Sequence, residues 1–293
     1  MRRLLALITV CLVASGCAGD PPSDPPSAPV SSPSSSSAEP TVEPVADPGE
    51  PRSDLHLDCA GEGAPTIVLV AGLNTSGGTF RDLRRRLART AQACFYDRAG
   101  IGDSDPLDDA VPDPSPGSAA ADLRATLAAA GIEPPYVLLG WSYGGLVTQA
   151  YAADFPDELA GLVLEDTSVR EQFTGGGLTD ASFVWQEGGR VVDNAKARRE
   201  LADLDLGDVP VVALSQDADE PWMPAWWRSH DRLARATSEG VHAIATGSGH
   251  AMHQDVPRLV LRAVEAVWAA ASTGAGLPGC AEVFHDQKVR CRV

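Results

Sequence analysis

The sequence predicts an α/β domain, a mostly parallel central sheet with helices on both faces. Three observations carry this: strand-like apolar runs alternate with helical patterns, a globular composition continues for about two hundred residues, and one serine sits between glycines where a strand meets a helix. Parallel neighbours need a crossover helix, which the alternation supplies.

Taken in order, the strand-like runs are Thr66–Val70, Ala93–Tyr96, 136–139, 162–164, 211–214 and 241–245. Helical periodicity covers residues 80–90, 118–129, 146–153, 225–236 and 257–271. In the last helix Leu259, Val260, Ala263, Val264 and Val267 recur on one face, the mark of a helix with one buried side. No internal repeat is visible.

The chain begins with Met1-Arg2-Arg3, a short apolar run over residues 4–13, then Ala14-Ser15-Gly16-Cys17. This is an export signal over residues 1–16, too short for a stable transmembrane helix. The residues before Cys17 resemble the lipobox of bacterial lipoproteins, although Ala14 stands where leucine is commonest. Cys17 is therefore expected to carry a lipid and to hold the chain on the outer face of the cell membrane; the alternative is release as a secreted protein. Residues 17–52 are rich in proline, serine and acidic side chains, and read as a disordered tether. The domain follows at 53–272, with a tail at 273–293.

A formal net charge of −17 becomes −19 once Arg2 and Arg3 leave with the signal. So acidic a surface argues against nucleic acid as a partner and against a polybasic grip on anionic lipid, which leaves membrane attachment to the N-terminal lipid.

Four cysteines remain beyond Cys17, an even number in an oxidising compartment. Cys59 and Cys94 fall at a strand end and a strand start, and Cys280 and Cys291 share the tail, so the expected bonds are Cys59–Cys94 and Cys280–Cys291. The first would add about 3 to 4 kcal/mol by loop closure. No CxxC or His-x-x-x-His spacing accompanies them, so no metal site is expected.

Ligands of such sheets bind beyond the carboxyl ends of the strands. There the chain deposits Ala71-Gly72-Leu73-Asn74, then the segment 97–104, Ser142, Glu165-Asp166, Asp217-Ala218-Asp219 and finally Gly249-His250. A serine, several carboxylates and a histidine arrive at one sheet edge in the order Ser, Asp, His.

These motifs, with the elbow Gly140-Trp141-Ser142-Tyr143-Gly144 and the segment Tyr96-Asp97-Arg98-Ala99-Gly100-Ile101-Gly102-Asp103-Ser104, resemble the α/β-hydrolase superfamily over the whole domain. The resemblance implies the α/β-hydrolase fold, no cofactor, and a Ser-Asp-His triad. Many members have His-Gly after the first core strand; here Ala71-Gly72 stands there. Ser142 is expected to be the nucleophile and His250 its base, because a serine hydroxyl needs a base within hydrogen-bond reach. His253 reads as a pocket or surface residue, and His230 and His242 as structural.

Asp166, Asp217 and Asp219 each follow a core strand and each could orient His250. Asp219 is chosen, because it falls where the family's usual acid does, with Asp166 as the alternative. Oxyanion donors map to the N–H groups of Leu73 and Tyr143. Asp97 and Arg98 read as a structural pair fixing the loop that runs from Gly100 to Ser104.

A cap insertion over 167–208, broken by Gly175-Gly176-Gly177, reads as a small, mobile lid over an open site. Trp222, Trp226 and Trp227 either line an acyl pocket or pack a helix. The expected activity is hydrolysis of a small carboxylic ester. An amidase or peptide hydrolase with the same triad, or a binding protein on this scaffold, are the alternatives. An aspartate in place of Ser142 would mark dehalogenases and epoxide hydrolases.

Overall fold

The computed structural model describes residues 50–174, 178, 183–201 and 204–292. The signal, Cys17, nearly all of the tether and Gly175-Gly176-Gly177 lie outside the described residues. None of the described helices is long and apolar enough to cross a membrane.

Strand β1 (Leu57–Ala60) and β2 (Thr66–Val70) open the domain and lead to α1 (Arg81–Leu87), β3 (Ala93–Tyr96) and α2 (Pro116–Ala129). Then β4 (Tyr136–Trp141), α3 (Tyr143–Asp154) and β5 (Leu159–Glu165) build the centre. The cap follows with the hairpin β6 (Gln186–Glu187) and β7 (Arg190–Val191) and the helix α4 (Asn194–Glu200). Finally come β8 (Val211–Gln216), α5 (Met223–Ala234), β9 (Gly240–Ala245), α6 (Met252–Asp255), α7 (Pro257–Thr273), α8 (Cys280–Val283) and β10 (Val289–Cys291).

Eight strands pair in the order β1-β3-β2-β4-β5-β8-β9-β10, parallel except for the two outermost. Because side chains alternate across a strand, Val68 and Val70 enter the core on the face covered by α2 and α3. Ile67 and Leu69 enter the one covered by α1 and α7. Both faces of β2 and β4 are buried, which is why these strands are apolar at nearly every position.

Among the departures from the sequence reading, two have a clear local cause. The segment set aside as a tail supplies β10, whose Val289, Arg290 and Cys291 pair antiparallel with Ala245, Ile244 and Ala243. Three residues of mixed polarity carry too little pattern to read as a strand. The helix around Ser118 starts earlier, at Pro116, capped by Ser115, whose hydroxyl accepts from Ser118 N while the Ser118 hydroxyl accepts from Ser115 N.

The structure joins Cys59 to Cys94, 35 residues apart and directly opposed in the β1–β3 register, and Cys280 to Cys291.

Candidate active site

Ser142 follows β4 and caps α3 with φ 53° and ψ −122°, a conformation that a non-glycine residue adopts only under strain. The flanking glycines make it possible. A Cβ on Gly140 would lie 2.5 Å from Thr148 Oγ1 and 2.6 Å from Gly145 Cα, and one on Gly144 would strike the Val70 carbonyl. Backbone bonds then fix the turn: Ser142 N donates to Glu165 O at 3.1 Å, and Ser142 O accepts from Gly145 N and Ser168 N, each at 2.9 Å. The serine is thus presented at the carboxyl edge of the sheet.

His250 follows β9, and Trp141 Nε1 donates to its carbonyl at 2.8 Å. Its ring Nε2 lies 2.9 Å from Ser142 Oγ and its Nδ1 lies 2.6 Å from Asp166 Oδ2. A carboxylate only accepts, so Nδ1–H donates to Asp166 and Nε2 is left to receive the serine proton. Burial pushes the imidazole pKa down, but the hydrogen bond and charge of Asp166, helped by Glu165, outweigh it and leave His250 above its ordinary value.

The carboxylate at His250 is therefore Asp166 and not Asp219. Asp219 lies exposed in the loop after β8, with no hydrogen bond to His250, and Asp217 pairs with Arg290 at 2.5 Å. Asp166 is fully buried, with φ 40°, immediately past β5 and so beside the β4 edge that carries Ser142. Its second oxygen, Oδ1, accepts from Trp226 Nε1 at 2.8 Å and from Gln216 N at 3.0 Å. Trp226 is thus bound to the carboxylate, a role the sequence did not suggest. Trp227 donates instead to the Gln216 carbonyl, and Trp222 packs edge-on against Trp226.

His253 is neither a pocket nor a surface residue. Its side chain is buried with Nδ1 2.7 Å from Glu165 Oε1, and Nε2 lies 2.9 Å from the Thr79 hydroxyl.

Among the described residues, the N–H groups of Tyr143 and Leu73 have no protein partner, which leaves both free to donate. The first opens α3 and points along the positive end of that helix. The second is set by Arg98, which does not pair with Asp97. The Asp97 carboxylate ties the glycine loop to the segment before α1, accepting from Asp103 N and from Gly77 N. Arg98, buried, donates Nη1 to Ala71 O at 2.8 Å and Nη2 to Gly72 O at 2.7 Å, and Nε to Glu187 Oε1 at 2.7 Å. In a planar peptide, fixing the Gly72 carbonyl fixes Leu73 N–H on the opposite side. Glu187 Oε2 in turn accepts from Asn74 N at 2.8 Å, so the cap hairpin and the Leu73 loop are one unit. Three non-glycine residues among those described have positive φ, Asn74, Ser142 and Asp166, and all three lie at this site.

Glu187→Ala leaves Arg98 buried without its counter-ion. It is expected to cost about 3 to 5 kcal/mol, read as a fall in thermal unfolding temperature. Glu187→Gln, which keeps an acceptor for Arg98 Nε and loses only the charge, should fall between the wild type and Glu187→Ala. An unchanged unfolding temperature in both variants would mean that the ion pair does not hold the fold together.

An eight-stranded, mostly parallel sheet with a strained serine elbow and an adjoining Asp-bound histidine defines an α/β-hydrolase framework. The sequence pattern of the family described as alpha/beta hydrolase fold matches residues 65–241, and the chain belongs to that family. Protein YqjL of Bacillus subtilis is 27% identical over 227 residues, 72% of this chain and 86% of its own. The pimeloyl-[acyl-carrier protein] methyl ester esterase of Chromobacterium violaceum is 33% identical over 117 residues, 40% of this chain and 42% of the esterase. A thermophilic esterase from Thermogutta terrifontis shares the fold with a TM-score of 0.57 at 20% identity, over 75% of this chain and 94% of the esterase.

Proposed function

We propose that the protein is a serine hydrolase that cleaves a small carboxylic ester through an acyl-enzyme, and that it is exported and lipid-anchored at Cys17. The observation that carries the catalytic part is the unbroken run from Ser142 Oγ through His250 to Asp166, at 2.9 and 2.6 Å. The likeness to the pimeloyl methyl ester esterase supports an ester substrate.

In this reading His250 Nε2 takes the Ser142 proton as Oγ attacks the ester carbonyl. The developing oxyanion accepts from Tyr143 N–H and Leu73 N–H, each worth about 3 to 4 kcal/mol to the transition state. His250 returns the proton to the leaving alcohol, and a water activated by the same ring then releases the acid. Asp166 keeps the imidazole in the Nδ1–H tautomer and stabilises the imidazolium that forms.

A fluorophosphonate probe should label Ser142, mapped by mass spectrometry. Because only the neutral ring can accept a proton, the labelling rate should be level at alkaline pH. It should fall about tenfold per unit once pH drops below the raised His250 pKa. Labelling elsewhere, or at a rate indifferent to pH, would sink the mechanism.

A further inference from the structure

Behind Asp166 runs a second line of hydrogen bonds that the proposed reaction does not touch. His230 Nε2 lies 2.9 Å from the Thr167 carbonyl, and His230 Nδ1 lies 2.5 Å from the Ser215 hydroxyl. That hydroxyl lies 2.8 Å from His242 Nε2, and His242 Nδ1 lies 2.6 Å from Asp231 Oδ1. Thr167, His230, Ser215 and His242 are buried, and Arg292 closes the line by donating Nη2 to Asp231 Oδ2 at 2.7 Å and Nε to Oδ1 at 2.9 Å.

The segments joined are those that grip Asp166. Thr167 is its chain neighbour, Ser215 precedes Gln216, and His230 lies one helical turn beyond Trp226, its ring 4.9 Å from that indole. Gln216 N and Trp226 Nε1 hold Asp166 Oδ1, which leaves Oδ2 for His250.

The hydrogens in this line can be counted. It ends in two acceptors, a carbonyl and a carboxylate, and four contacts between them need four hydrogens. Neutral His230, Ser215 and His242 supply three. A neutral line would set two lone pairs against each other at one contact in the interior, where an unmade bond costs most. Charge runs the same way, since Asp166 and Asp231 are two carboxylates against Arg292 alone. Burial opposes it, pushing His242 down to about 4, with His230 and Arg292 adding to the effect and Asp231 resisting it. Burial lowers His230 too, against Asp166 and Asp231 and with His250.

We propose that this line is a clamp that positions Asp166 for the Ser142 reaction, completed by one extra proton shared between His230 and His242. The inference rests on the serine-hydrolase reading. His230→Met removes both bonds of that ring and should slow fluorophosphonate labelling of Ser142 about tenfold, as small misplacements of a reacting array do. Ser215→Ala, a change of one atom, should slow it similarly with little loss of fold. Asp231→Asn supplies the missing hydrogen as a donor to His242 Nδ1, giving up the Arg292 Nε bond at that atom and keeping the Nη2 bond at the other, so both rings can be neutral and most of the rate should remain.

Imidazole nitrogen NMR of the resting protein reads the proton directly. One of the two rings should carry hydrogen on both nitrogens in the wild type, and neither should in Asp231→Asn. Two neutral rings in the wild type, or wild-type labelling in Ser215→Ala, would overturn the clamp. Failure of wild-type Ser142 to label would strike the hydrolase reading instead, and the NMR result would still stand for or against the shared proton.

Discussion

Ser142→Ala should abolish hydrolysis of short p-nitrophenyl esters, lowering kcat by about six orders of magnitude, the scale on which losing a nucleophile removes the benefit of a whole triad. Its unfolding temperature should stay near that of the wild type. The substitution removes the 2.9 Å hydrogen bond from Oγ to His250, on the half-exposed side of the ring, while the Gly145 and Ser168 bonds that hold the elbow are backbone bonds and stay in place. Substantial turnover by the variant, measured on enzyme shown to be folded, would remove Ser142 from the reaction.

Asp166→Asn should lower kcat by about four orders of magnitude, as happens when the orienting carboxylate of a serine triad becomes an amide and the imidazole adopts the wrong tautomer. It should also move the acid limb of the pH profile. The Asp166 hydrogen bond and charge are what raise the His250 pKa against burial, so without them the ring stays neutral to lower pH and the limb shifts down. Asp219→Asn should change kcat by less than about twofold, since an exposed loop carboxylate away from the array contributes little. Steady-state kinetics of the two variants side by side decide between them, and the reverse ranking would restore Asp219.

The elbow was legible because its demands are local: two glycines, a strand before and a helix after. The choice of acid was not, because it depends on which strand lies beside β4. Asp166 and Asp219 both follow core strands. Only the sheet order sets β5 next to the serine, and only the positive φ of Asp166 turns its carboxylate across to His250. A family position for the acid pointed to the other loop.

Pairings between distant segments were likewise invisible. Arg98 reaches Glu187, and Trp226 reaches Asp166, across separations that no spacing encodes. The disulfides were readable from where their cysteines fall along the chain. β10 was not, because its three residues become a strand only by lying against β9.

Those two disulfides have a consequence for where the molecule comes apart. The outermost strands of a sheet are ordinarily the first to peel, having a neighbour on one side only. Here β1 is bonded covalently to β3, and β10 to α8, so neither margin can fray without carrying its partner along. With both margins tied, the cap hairpin is the least anchored pairing among the described strands. The hairpin is two residues a strand and is held to the rest by Arg98 and Asn74 on Glu187, by Asn74 on Gln186 and Gly188, and by Arg190 on Asp108 and Asp113; Arg98 is also the side chain that holds the Gly72 carbonyl and so aims Leu73 N–H. Any opening of that hairpin would disturb the Arg98 contacts at Gly72, while the frame that carries Ser142 is held by separate backbone bonds.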